Sequence, residues 1–326
     1  MPTKAPLSLV ADIGGTNTRV ALADGKVLRE GSIRRFRNAE YPGLETILRR
    51  YLDEAGSGTG SMDCDGACVA AAGPVRDGVA TMTNLDWTID GDTLVRATGA
   101  ETVAILNDLQ AQGHALGHIA PENLAPVIAG PQAAAHAAKL VIGVGTGFNA
   151  APVHDTPWGR IVAPSECGHV NMPIRSESDL RLAQFVETAH GFPGVEDVLS
   201  GRGLERLHAF VTTESGAPVE LAAADIMARL HAADPLATDT ARLFVRLLGA
   251  EAGNLALIHL PFGGIYLCGG VARAFAAHLG PMGFAEAFRD KGRFAGFMQN
   301  FPVSVIEDDY AALTGCAVYL SQGAKG

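Results

Sequence analysis

The chain has 326 residues, 48% of them hydrophobic and 18% charged, the balance of an ordinary soluble globular protein. At roughly 100–200 residues per domain the length suits about two domains, each long enough to bury its own core. The formal net charge of -10 argues against nucleic acid or an anionic membrane as partner, so an anionic ligand must be met by local donors and a metal.

In chain order, the opening Met1-Pro2-Thr3-Lys4-Ala5-Pro6 runs through a short apolar stretch to Asp12, without the apolar core and cleavage site of a signal peptide. No apolar run approaches the ~18 residues that span a bilayer, and a cytoplasmic protein is expected. Pro6 to Ala11 and Thr18 to Ala23 read as strands, and Asp24-Gly25 as a hairpin turn to a third strand near Val27. Leu44, Ile47, Leu48 and Leu52 form a helical stripe, with Gly56 at the C-cap position. Gly66 to Ala72 and Thr102 to Leu106 are further strands, the second delivering Asn107-Asp108 at its end. Ile119 to Ala137 reads as an Ala/Pro/Gly-containing connection, and Leu140 to Val144 opens a second strand–glycine turn–strand unit. Residues 176–260 read mainly as helix, with Ser200 capping one and Thr238 capping a longer apolar one that runs to His259. Ile265 to Leu267 and Val303 to Ile306 are the last strands, and Asp309 to Leu320 the last helix. The five cysteines, Cys64, Cys68, Cys167, Cys268 and Cys316, fit no disulfide framework. Cys64 and Cys68 have no Cys/His pair nearby to complete a zinc site, so buried free thiols are the better reading.

Five motifs carry chemistry. In Asp12-Ile13-Gly14-Gly15-Thr16-Asn17 the glycines let backbone approach a phosphate and take positive φ, and successive N–H groups form an anion nest. Thr16 and Asn17 add donors, while Asp12 can hold Mg2+ or its waters; a plain hairpin turn would use the same residues. Gly145-Thr146-Gly147 precedes another strand rather than a helix, which suits a second phosphate turn better than a dinucleotide fingerprint. No Walker loop occurs. Asn107-Asp108 stands where open α/β sheets carry ligands, and its carboxylate can accept a proton or simply cap a helix. Glu166 and His169 offer polyol partners, as does Glu196 further on. Gly269-Gly270 after a strand either lets a base or ribose lie against backbone or makes a tight turn.

Taken in order, D-I-G-G-T-N, N-D, G-T-G, E-C-G-H, E-D-V-L-S-G-R-G-L and C-G-G-V resemble the bacterial glucokinase family of the sugar kinase, Hsp70 and actin superfamily, from about residue 8 to residue 320. The resemblance implies an α/β, two-lobed actin-like ATPase fold, each lobe with a ribonuclease H-like core and a cleft between the lobes. It places residues 1–115 and 307–326 in a small lobe and 116–306 in a large one. It implies ATP-dependent phosphorylation of D-glucose at O6, with ATP and Mg2+ as cofactors, and a homodimer as the assembly. Asp108 would be the catalytic base; Asn107, Asp108, Glu166, His169 and Glu196 would hold the sugar. Asp12, Gly14, Gly15, Thr16, Asn17, Gly145, Thr146, Gly147, Gly269 and Gly270 would bind the nucleotide, and Asp12 would hold Mg2+, directly or through water. Two features depart from the family: Cys167 stands where a glycine is usual, and the segment before Glu196 is longer, leaving Glu187 as an alternative acid. Asn171 to Arg175 carry no cysteines, unlike the zinc motif of the repressor-type kinases. A kinase for another hexose and a non-catalytic sugar sensor on the same fold are the alternatives.

Overall fold

The structure, a computed structural model, describes residues 5–56, 63–82 and 85–323; Met1 to Lys4, which bear on the leader reading, lie outside the described residues. Side chains of the first strand, β1 (Leu7–Ile13), are buried almost throughout and alternate between two cores. Leu7, Leu9, Ala11 and Ile13 enter one hydrophobic cluster and Val10 another, the period of two of a strand covered on both faces. β1 pairs antiparallel with β2 (Asn17–Asp24) and parallel with β5 (Gly66–Ala71), which pairs parallel with β9 (Thr102–Asn107). The short strands β3 (Val27–Leu28) and β4 (Arg34–Arg37) pair with β2. Helices α1 (Leu44–Ala55) and α2 (Gly91–Thr98) cover the Leu9 face through Ile47, Leu48 and Leu94. On the Val10 face lie α3 (Asp108–Ala115) and the last helix, α10 (Ala311–Gly323), through Ala111, Leu313 and Ala317. A separate small sheet, β6 (Val75–Arg76), β7 (Val79–Thr81) and β8 (Thr88–Ile89), follows β5. These elements form one compact unit, Met1–Ala120 with Asp308–Gly326.

The second unit, Pro121–Glu307, repeats the plan. Its sheet runs β10 (Leu124–Ile128), β15 (Val303–Ile306), β14 (Ile265–Cys268), β11 (Lys139–Val144), β12 (Phe148–Thr156), β13 (Gly159–Val162). β11 and β12 form an antiparallel hairpin, and β14 and β15 continue from β11 in parallel. The order β12-β11-β14-β15 thus matches β2-β1-β5-β9 in pairing sense as well as sequence. Helices α4 (Glu177–His190), α5 (Gly201–Glu214), α6 (Ala223–His231), α7 (Pro235–His259), α8 (Gly270–Leu279) and α9 (Phe284–Arg289) complete the unit. α7 has Phe244, Leu247 and Leu248 fully buried in the core, as its apolar composition demands.

Two expectations are corrected. The stretch read as a connection from Ile119 to Ala137 contains β10. Its Pro126 is tolerated because β10 is the sheet's edge and its pairing with β15 shifts between Pro126 and Ile128, and an edge or a bulge is where proline fits a strand. α7 is capped not by Thr238 but by Asp234, whose Oδ1 accepts from Ala237 N at 2.9 Å with Pro235 in the first helical turn, a cap followed by a residue with preset φ. Ser200 does cap α5, accepting from Gly203 N at 2.9 Å. Cys64, Cys68, Cys268 and Cys316 are buried, Cys167 is half-buried, and all are free thiols. Among the described residues no helix is long and apolar enough to cross a membrane.

The tightest helix contact tests the first unit. A Cβ added at Gly315 of α10 would stand 1.8 Å from the carbonyl oxygen of Ala111 on α3. Alanine is worth up to about 1 kcal/mol over glycine in a helix, but an overlap this severe costs roughly 3 kcal/mol or more. Gly315→Ala is therefore expected to lower the midpoint of urea unfolding; an unchanged or raised midpoint would mean that α10 and α3 do not cross this closely.

Candidate active site

In the first unit, the Asp12–Asn17 loop is the turn from β1 to β2. Gly14 N donates to Asn17 O at 3.0 Å and closes it. Buried Asn38 fixes the loop from outside: its Nδ2 donates to Gly14 O at 2.8 Å, its backbone N to Thr16 O at 3.0 Å, and Thr18 Oγ1 donates to its Oδ1 at 2.8 Å. Sequence reasoning missed Asn38, because a lone Asn after an exposed strand carries no motif. Asp12 lies at the end of β1, with Arg19 Nη1 3.2 Å from its Oδ2.

Asn107 and Asp108 lie at the end of β9, two strands from β1 across β5. At about 4.8 Å per strand the two backbones are roughly 10 Å apart, near enough for the carboxylates to feel each other. Asn107 caps α3: its Oδ1 accepts from Leu109 N at 3.0 Å, and its Nδ2 donates to Gly73 O at 3.0 Å. Gln110 Oε1 returns a bond to Asn107 N at 3.0 Å and completes a capping box. One Asp108 oxygen accepts from Leu109 N at 2.9 Å. Burial, and then the charge of Asp12, push the Asp108 carboxyl from 3.8 up to about 6, against the opposing pull of the Leu109 bond.

In the second unit, the Gly145-Thr146-Gly147 turn joins β11 to β12 and is closed by Gly145 N donating to Gly147 O at 2.9 Å. Gly201 N at the start of α5 donates to Gly145 O at 2.8 Å, and a Cβ at Gly145 would lie 4.0 Å from Gly270 N at the start of α8. Two helix N-termini therefore converge on one glycine turn, an arrangement suited to phosphate. The α5 contribution was visible only as Ser200, an N-cap residue. Positive φ does not occur at Gly14, Gly15, Gly145 or Gly147, and of these Gly147 is the one required by close packing. A Cβ on Gly147 would sit 2.4 Å from Glu196 Oε2. Gly269 is different, with φ of 98° and its Cβ position 2.5 Å from Val144 O.

Glu196 Oε2 accepts from Phe148 N at 3.0 Å, and its backbone N donates to Gly168 O at 2.8 Å. It is thereby bound to both the glycine turn and the loop of Glu166 and His169, whose side chains are exposed. Glu187 lies exposed in the last turn of α4, where its carbonyl accepts from Gly191 N. The arrangement places a closed glycine turn in each unit, a carboxylate of raised proton affinity in the first and acid and imidazole groups in the second.

These two units have the architecture of sugar kinases of the actin-like ATPase fold: the crystal structure of a glucokinase from an Antarctic psychrotroph superposes with a TM-score of 0.85 at 29% identity, over 97% of this chain and 98% of that one. The family model described as Glucokinase matches residues 9–323. A glucokinase of Saccharophagus degradans is 33% identical over 96% of this chain and 98% of its own length, and one of Pseudomonas aeruginosa 34% identical over 97% and 95%. The chain belongs to the glucokinase family.

The raised Asp108 carboxyl makes a prediction with a definite sign. The native group holds its proton more tightly than the unfolded chain does, so this contribution to stability is present below pH 3.8 and is lost as pH rises through about 6. Above that, the ionised carboxylate costs up to roughly 3 kcal/mol, at about 1.4 kcal/mol per pH unit. Asp108→Asn is expected to raise the unfolding free energy by roughly 1–3 kcal/mol at pH 8, and the gain should vanish at pH 4. Denaturant titrations at both values check this, and a gain that persists at pH 4 would rule out the carboxylate as its source.

Proposed function

We propose that the chain transfers the γ-phosphoryl group of ATP to the 6-hydroxyl of D-glucose, giving glucose 6-phosphate and ADP. The observation that carries the reading is Asp108: a carboxylate at a strand end, oriented by its own helix and tuned to about 6. A general base works best with a pKa near the operating pH. As O6 bonds to the γ-phosphorus and the bond to the β-phosphate oxygen breaks, the hydroxyl proton passes to an Asp108 oxygen. Transfer of this kind needs positioning and charge stabilisation more than covalent help from the protein.

The proposed sugar ligands are Asn107 and Asp108 in the first unit and Glu166, His169 and Glu196 in the second. Asn107 already spends one lone pair on Leu109 N and one N–H on Gly73 O, so it offers sugar only its remaining donor and acceptor. Glu196 is preferred to Glu187 because its carboxylate is bonded beside the Gly145–Gly147 turn. An epimer that leaves one of these groups unpaired can lose about 10⁴-fold in specificity. The Asp12–Asn17 loop, the Gly145–Gly147 turn and Gly269-Gly270 are the proposed nucleotide contacts.

Mg2+ fits the donor set of the first unit. The charge of Asp12 already burdens Asp108, and a cation would relieve both; Mg2+ sites commonly combine one or two carboxylates with water and substrate phosphates. Asp12 would hold the ion directly or through water, and the ion would neutralise charge on the β- and γ-phosphates. The family resemblance further implies a cytoplasmic homodimer. Sedimentation velocity of the purified chain tests that assembly, and a single species at the monomer mass would refute it.

The decisive experiment is a coupled assay for glucose 6-phosphate on wild type and Asp108→Asn, with a panel of hexoses. The expected result is a loss of kcat of at least about 10²-fold in the variant and the highest kcat/KM with glucose. Wild-type kcat/KM should fall below a pH of about 6 as Asp108 takes up its proton. A variant that keeps more than a tenth of wild-type kcat would remove Asp108 from the role of base.

A further inference from the structure

Glu166 is exposed, and an exposed glutamate samples several rotamers unless something holds it. What holds it is Asn149, at the second position of β12 and paired in register with Gly143 of β11. Asn149 Nδ2 donates to Glu166 Oε2 at 3.1 Å and also to Ser165 O. Its Oδ1 accepts from Ala150 N at 2.8 Å and Cys167 N at 3.2 Å, with Cys167 Sγ at 3.5 Å. The Ser165 hydroxyl lies 3.0 Å from the same oxygen and 2.7 Å from Ala150 O, and serves one of them at a time.

The amide can face only one way. Two backbone N–H donors lie on the Oδ1 side, and a backbone carbonyl with a carboxylate lies on the Nδ2 side, so a flip would oppose like groups at four contacts. The side chain thus reads the loop on both sides of Glu166 and fixes the carboxylate between those anchors. Cys167, the residue that replaces the family's usual glycine, is part of the clamp through its backbone N–H and its thiol, and its apolar side packs against the core of the unit.

We propose that Asn149 is the positioning residue that presets Glu166 for a sugar hydroxyl, so that it governs glucose affinity rather than phosphoryl transfer. This rests on the assignment of Glu166 as a sugar ligand. A ligand group ordered before binding spares the sugar the entropy of ordering it. Asn149→Ala is expected to raise the Kd and KM for glucose about threefold to tenfold, with kcat and the KM for ATP unchanged. Asn149→Asp keeps the acceptor to Ala150 and Cys167 but turns the donor into a second carboxylate facing Glu166 Oε2. Its loss of glucose affinity should exceed that of the alanine variant, because like charges then face each other where a donor met an acceptor.

The experiment is calorimetric glucose binding and steady-state kinetics on Asn149→Ala, Asn149→Asp, Glu166→Ala and the Asn149→Ala/Glu166→Ala double variant, each checked for a wild-type melting profile. The expected outcome is strong non-additivity: with Glu166 already removed, Asn149→Ala should change glucose affinity less than about twofold. Independent, multiplying effects, or a fall in kcat that matches the rise in KM, would overturn the positioning role. If Glu166→Ala itself leaves glucose affinity unchanged, the assignment of Glu166 as a sugar ligand fails instead. Asn149→Asp keeps the proposal open to refutation even if the alanine variant does not fold, because an unchanged glucose affinity in it would exclude the direct contact.

Discussion

The Asp108 carboxylate, the proposed base, is placed where ionisation is resisted, and the start of α3 works against that resistance. Asp108 is raised to about 6 by burial and by Asp12, yet its fixed position follows from the cap it shares with Asn107 at the start of α3. The helix N-terminus favours the charged form, and the Leu109 N–H supplies a direct bond to it. The opposing influences leave the group ionised near neutrality while it still binds a proton readily. A fully solvated aspartate would be ionised but a poor acceptor; one shielded without the cap would hold its proton more tightly. The sheet supplies the remaining constraint, since β5 between β1 and β9 spaces Asp12 far enough to raise Asp108 without forming a shared-proton pair.

The second unit solves a packing problem instead. Gly147 is there because Glu196 occupies the space a Cβ would need, and Phe148 N holds that carboxylate in place. Glycine at the turn thus serves two purposes: it leaves room for backbone N–H groups to approach a ligand, and it admits an acidic side chain from the segment before α5. The same segment delivers Gly201 N to Gly145 O, so the positions of turn, acid and helix N-terminus depend on one another. A change at any of the three would be felt by the other two, which is why these groups are better regarded as one assembly than as separate motifs.

Much of this was legible in the sequence, and the exceptions have physical reasons. Strands with apolar residues on both faces, the hairpin at Gly25 and the cap at Ser200 each rest on a local rule that the fold obeys. β10 escaped because Pro126 forbids an interior strand, and only the topology reveals that β10 is an edge. Asp234 displaced Thr238 as cap because the helix starts one turn earlier, at Pro235. In the site, residues recognisable by motif stood out, whereas those that act by supporting a neighbour did not. Asn38 and Asn149 hold loops 20 or so residues away in sequence, and nothing local distinguishes such an Asn from a turn residue.

The matching strand orders of the two units sharpen what the paired glycine turns mean. In each, two parallel strands follow from the first member of a hairpin, so corresponding strand ends can be compared directly. The turns after β1 and β11 correspond, and both are the proposed phosphate contacts. The ends of β5 and β14 correspond as well, carrying Gly73-Pro74 and Gly269-Gly270. The end of β9 carries Asn107-Asp108 in one unit, and the end of β15 carries Glu307, the last residue of the other. Only the first of these acids starts a helix directly with an Asn cap beneath it; Glu307 is exposed and its backbone N is tied to Asn123 O. A shared framework therefore does not confer the chemistry. In the first unit the strand end is joined to a helix without an intervening loop, so that the Asp108 carboxylate, the proposed base, is held by an N–H of the first turn of α3.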